Sequence, residues 1–160
     1  MIVLTRVDDR LLHGQVAFSW LSAVNAKTIL IANDQYANNP MLKMSLMIGK
    51  PPGVELSVVT KKQAIAELQK QTTNKIMLIL QNIPDMFEVA KAASLTEICI
   101  GGVRDGEGKK LVYNSVYLND DEMHMIKELI TSGVHVYMQD VPISNKLENE
   151  EILTKYKESR

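Results

Sequence analysis

The stretch VDDRLLHGQV, residues 7–16, gathers two carboxylates, a guanidinium and an imidazole just ahead of a glycine. A neutral imidazole is a nucleophile with an ordinary pKa of about 6.5, so much of His13 is unprotonated at neutral pH. Such a ring can take up a phosphoryl group and release it, because the nitrogen–phosphorus bond is labile, or serve as a general base. Arg10, three residues earlier, offers a forked donor that suits phosphate oxygens. A helix beginning near Gly14 would turn its free backbone N–H groups toward the same anion, and Gly14 lets a donor or acceptor approach closely. Asp8 or Asp9 could fix one imidazole nitrogen or hold Arg10, while repelling any phosphate set directly against them. The same residues also allow a plainer arrangement. Arg10 then pairs with Asp9, Asp8 caps a turn, and His13 is a solvated loop residue.

The elements that must position this cluster are short. Apolar runs recur at 2–4, 29–32, 54–59, 76–80, 97–100 and 134–138, several of them uninterrupted, as in strands covered on both faces. Helical spacing lies between them: Val16, Trp20 and Val24 share one face, as do Met123, Ile126 and Ile130. Thr60 with Gln63 and Asn119 with Glu122 have capping-box spacing, Gly133 stops the later helix, and Pro84 fits the first turn of a helix running to about residue 93. This alternation predicts a single α/β domain over 1–160, three-layer α/β/α, with a mainly parallel sheet of six or seven strands. Ligands in such sheets bind beyond the carboxyl ends of the strands. Residues 8–14, 33–35 and 101–102 occupy that position, so Asn33, Asp34, Gly101 and Gly102 are expected to line a pocket around His13. Asn33 and Asp34 are equally good turn formers. Residues 49–54 and 101–110 read as loops, and 145–160 as a final helix polar enough to fray.

Composition narrows the classes. With 46% hydrophobic residues in 160, the chain can build a full core, and a net charge of −1 gives no reason to expect nucleic acid or an anionic membrane as partner. No apolar run approaches the roughly 20 residues of a membrane span, and MIVLTRVDD lacks the form of a secretory signal. One cysteine cannot form an internal disulfide, which fits a reducing, cytoplasmic setting. Cys99 reads as a small buried hydrophobe, and the nine methionines as mostly core filling. His124 belongs on an exposed helix face. His135 alternates with Val134 and Val136 and should point away from them or line a sheet end. Neither has ligand spacing with His13, so no zinc site is expected. The stretch GGVRDGEGKK lacks the order of a nucleotide P-loop.

The motif RVDDRLLHGQV resembles the signature of the mannose/fructose/sorbose-type IIB components of the bacterial sugar phosphotransferase system (PTS). The resemblance extends through Trp20, ANDQYANNP at 32–40, PPGVELSVV at 51–59 and IGG at 100–102 to the stretch 114–142, nearly the whole chain. It implies a three-layer α/β/α fold and a phosphohistidine–sugar phosphotransferase of the cytoplasm, associated peripherally with its membrane transporter. His13 would be the phosphorylated histidine, through Nδ1, and Arg10 the phosphate-stabilising arginine; Asp9, Gly14 and Gln15 match supporting positions. The implied partners are a phosphorylated IIA component, the IIC and IID membrane components and the imported sugar, with no metal or organic cofactor; a homo-oligomer is left open. The ending VYMQDVP leans toward the amino-sugar branch, N-acetylgalactosamine included, beside mannose, fructose and sorbose. One departure stands out: where the family often has methionine and then an aromatic two residues on, this chain has Val103 and Asp105. Two rivals remain on the residues alone, a non-enzymatic anion-binding or regulatory module and a metal-assisted hydrolase built on Asp8, Asp9 and His13.

Overall fold

The computed structural model describes residues 1–160. Strand β1 (Ile2–Asp8) leads through the His13 loop into α1 (Gly14–Val24), and β2 (Thr28–Ala32) into the short α2 (Asp34–Ala37) and α3 (Pro40–Ile48). Then follow β3 (Glu55–Val59), α4 (Lys61–Leu68), β4 (Ile76–Leu80), α5 (Ile83–Ala92) and β5 (Glu97–Gly102). A hairpin of β6 (Lys110–Tyr113) and β7 (Val116–Leu118) precedes α6 (Asp120–Thr131), β8 (His135–Met138), β9 (Leu147–Glu148) and α7 (Glu150–Glu158). The main sheet has seven strands in the order β3-β2-β4-β1-β5-β8-β9. Every neighbouring pair is parallel except β8 with β9. The expected α/β architecture is the one the chain adopts.

Alternation along the strands divides the interior. Val7, Leu30, Leu78, Ile98 and Val136 join a core of 25 buried residues that includes side chains of α4, α5, α6 and α7. Leu4, Ile29, Ile31, Met77, Ile79, Cys99 and Tyr137 face the other way, into a core of 13 with Trp20 and Leu21 of α1 and Leu46 of α3. The chain leaves β1 toward β2, but leaves the adjacent β5 toward β8. The strand order therefore reverses between the parallel strands β1 and β5, which opens a crevice at their carboxyl ends. The His13 loop sits there.

The local signals act as their chemistry dictates. Both capping boxes form, with Thr60 accepting from the Gln63 N–H at 3.1 Å and Asn119 from the Glu122 N–H at 2.8 Å. Pro84 lies in the first turn of α5. Five of the nine methionines fill the core, since Met77, Met86, Met123 and Met138 are buried and Met125 packs against the larger cluster. The others lie outside it: Met41 and Met44 on α3 are 83% and 60% exposed, and Met1 and Met47 are exposed too. Only Leu46 of α3 is buried, leaving the outer face of that short helix to the methionines. Two expectations need correction. The tail does not fray: Ile152 and Tyr156 enter the larger core, and the Tyr156 hydroxyl donates to Asp120. Residues 101–110 are not all loop, since Gly101 and Gly102 complete β5 and Lys110 opens β6.

Candidate active site

His13 is exposed at the N-cap of α1, with extended backbone and no side-chain bond to the helix. The N–H groups of Gly14, Gln15 and Val16 therefore have no intramolecular partner; the first helical bond runs from the Ala17 N–H to the His13 carbonyl at 3.0 Å. Together with the helix dipole they form a ready anion seat beside the imidazole. The turn that presents the ring is strained. Leu11 has φ 58°, in a region costly for a bulky side chain, and burial of that side chain in the smaller core holds it there. Gly14 has φ 26° and open space where a Cβ would stand, so backbone conformation rather than room demands glycine.

Arg10 lies within reach of His13, its Nη1 3.4 Å from Nε2. A guanidinium only donates, so this contact directs the Nε2 lone pair at Arg10, and Nδ1 has no partner within the protein. Asp8 holds the arginine: its Oδ1 accepts from Arg10 Nε at 3.2 Å and from the Arg10 N–H at 3.1 Å. Asp9 turns elsewhere and accepts from Arg104 Nε at 2.6 Å and from the Arg104 N–H at 3.1 Å. The two aspartates thus hold two different arginines, and neither touches the imidazole. Beside Arg10 runs an open groove of about 460 Å³, lined among others by Asp9, Tyr36, Gln81, Arg104 and Lys109. Gln15 stands exposed in the first turn of α1.

The loops converge in part. Asn33 is buried, caps α2 through the Tyr36 N–H at 2.9 Å, and donates to Gln81 Oε1 at 2.8 Å. Gln81 donates in turn to the Asp9 carbonyl at 3.4 Å, so Asn33 reaches the His13 loop through one intermediary. Asp34 accepts from the Lys61 N–H at 2.8 Å and secures α4 instead. Gly101 and Gly102 are buried behind the site rather than open to it. A Cβ at Gly101 would fall inside the Arg6 guanidinium, and one at Gly102 would come within 3.2 Å of Asp8 Oδ1.

Sequence reasoning quoted Arg6 and gave it no task, and missed Arg104 and Gln81. Arg6 is 2% exposed. It donates to the Gln139 carbonyl and the Asp140 carbonyl, each at 2.8 Å, and lies 3.7 Å from Asp8 Oδ2. Its guanidinium stacks over Trp20, 5.0 Å from the ring centroid. The one advance signal is a guanidinium in the middle of a mainly apolar strand, IVLTRVD. His124 is exposed and bonds its own helix through the Asp120 carbonyl, while His135 bridges Glu97 and Glu148 at the opposite end of the sheet. No three histidine, cysteine, aspartate or glutamate side chains form a ligating group.

A family model described as the PTS system sorbose subfamily IIB component matches residues 2–160. The chain belongs to that family. This IIB chain is 32% identical to a probable phosphotransferase enzyme IIB component of Streptococcus pyogenes, over 92% of its own length and 96% of the relative. It spans about half the length (49%) of the mannose-specific EIIAB component of Escherichia coli, at 29% identity over 97% of its own residues. The crystal structure of manxB from Thermoanaerobacter tengcongensis superposes with a TM-score of 0.90 at 33% identity, covering 98% of this chain and 96% of that one. PTS membership and the IIB fold therefore rest on sequence and structure together. No helix of this IIB chain is long and apolar enough to cross a membrane.

Proposed function

We propose that this chain is a cytoplasmic phosphocarrier that accepts a phosphoryl group on His13 from a phosphorylated IIA component. It then passes the group to a sugar entering through the IIC and IID membrane components. One observation carries the reading: an exposed imidazole at an uncapped helix N-terminus, with a guanidinium 3.4 Å away. The Nδ1 lone pair forms the new nitrogen–phosphorus bond while the donor's bond breaks and its electron pair returns to the donor imidazole. Nε2 carries a proton in that tautomer and no longer accepts from Arg10. The half-exposed arginine then turns Nη1 to the phosphoryl oxygens while Nε and Nη2 stay on Asp8, and the N–H groups of residues 14–16 complete the seat. Relatives named for mannose, sorbose and N-acetylgalactosamine match this chain at 29%, 31% and 28% identity, so likeness does not select the sugar.

Incubation with phosphorylated IIA tests the proposal. Acid-labile, base-stable label on His13 is expected, none on His13→Ala, and discharge only when the matching sugar and membrane components are added. A His13→Ala protein that still relays phosphate overturns it. Tight anion binding without labelling would favour the regulatory module.

A further inference from the structure

We infer that Arg6, inside the protein and out of reach of any substrate, is a positioning residue that sets both the place and the effective charge of Arg10. The inference rests on the phosphocarrier reading. Its basis is a chain of charges running inward from the rim. Arg10 Nε lies 3.2 Å from Asp8 Oδ1, and Asp8 Oδ2 lies 3.7 Å from Arg6 Nη2. Asp8 is as buried as Arg6, each with 3% of its side chain exposed, whereas 44% of Arg10 is open. A buried carboxylate holding one arginine cancels that arginine's charge, which would leave little field for an incoming dianion. With Arg6 behind it, the trio is two guanidinia against one carboxylate, and a net positive charge faces His13.

The surroundings leave Arg6 one place to be. The carbonyls of Gln139 and Asp140 take two of its donors, Cys99 Sγ accepts at 3.3 Å, and Trp20 covers its face. Gly101 supplies the space, because any side chain there would displace the guanidinium. At Gly102 a Cβ would press on Asp8 Oδ1 at 3.2 Å, close enough to nudge the carboxylate rather than expel it. The Gly-Gly pair at the end of β5 is thus a mould for the charge chain rather than a phosphate loop.

The test uses the full chain and phosphoramidate, a small donor that needs no partner protein. The His13 lone pair forms the nitrogen–phosphorus bond as the donor's bond breaks, and the departing nitrogen keeps the electron pair and leaves as ammonia. Labelling rates are read by phosphorus NMR and intact mass for the parent, Arg6→Gln, Arg10→Gln and the double variant, with folding checked by amide spectra. We expect Arg6→Gln to label about tenfold to a hundredfold more slowly, the scale of a misplaced catalytic group. The double variant should be slower than Arg10→Gln alone by much less than the Arg6→Gln factor, because placing Arg10 no longer counts and only the neutralisation of Asp8 by Arg6 is lost. Parent-like labelling of Arg6→Gln, or losses that multiply in the double variant, overturns the inference and leaves the carrier reading standing. A parent that takes no label on His13 overturns both. If Arg6→Gln does not fold, Arg6→Lys carries the test. It keeps a cation without the fork, so a smaller loss is expected, again much reduced in the Arg10→Gln background.

Discussion

Arg10 and His13 differ in what their loss should cost. On the proposed carrier reading, loss of His13 removes the acceptor atom, whereas loss of Arg10 leaves the N–H seat of α1. Arg10→Ala should therefore slow phosphoryl uptake without ending it, by about 2–4 kcal/mol of lost charge stabilisation, measured as the labelling rate at saturating donor. Arg104 is a different case. It lies between Val103 and Asp105, the two departures from the family pattern, and its bond to Asp9 ties residues 103–105 to the His13 loop. That side chain is 75% exposed and its ion pair is screened by solvent, so Arg104→Ala should leave the midpoint of chemical denaturation close to the parent's. The residues legible in sequence were those contiguous with His13. Arg6, Gln81 and Arg104 come to it through sheet pairing and loop closure; Arg6 stands opposite Cys99 in the register of β1 and β5, far away in the chain. No spacing rule reaches that distance.

Among the elements, legibility followed the strength of the local signal. Both capping boxes and the proline at the start of α5 declare themselves within four residues, and each formed. The four-residue α2, the β6–β7 hairpin and the two-residue β9 are too short to show a period, and all three escaped notice. The edge strand β3 buries only Val58, in keeping with the exposed Glu55 and Ser57 that interrupt its apolar run. Asn119 offers a direct test of capping energetics far from His13. Asn119→Ala should cost about 1 kcal/mol and lower the thermal midpoint by roughly 2–4 °C in a chain of this size, with phosphoryl uptake unchanged.

At the scale of the molecule, the end of the sheet opposite the site is closed by charge. His135 Nδ1 lies 3.1 Å from Glu97 and Nε2 2.9 Å from Glu148, so one imidazole joins β5, β8 and β9. Partial burial lowers its pKa, but the hydrogen bonds and charges of Glu97 and Glu148 outweigh that and raise it above the ordinary value. A folded-state pKa raised in this way gives stability fully present below about 6.5, lost as pH rises through the higher folded value. The thermal midpoint should therefore fall as pH climbs above that point, and His135→Gln should flatten the decline. A slope unchanged by the substitution would show that the bridge does not hold β9.

The single tryptophan of the chain has a further consequence. Its indole lies against Arg6, and its Nε1 donates to the Asp140 carbonyl at 3.0 Å. Whatever draws Arg10 away from Asp8 alters the balance felt by Arg6, and with it the electric field across the indole. Emission from Trp20 should thus change in wavelength or yield each time the carrier is charged and discharged, giving a label-free optical meter of turnover.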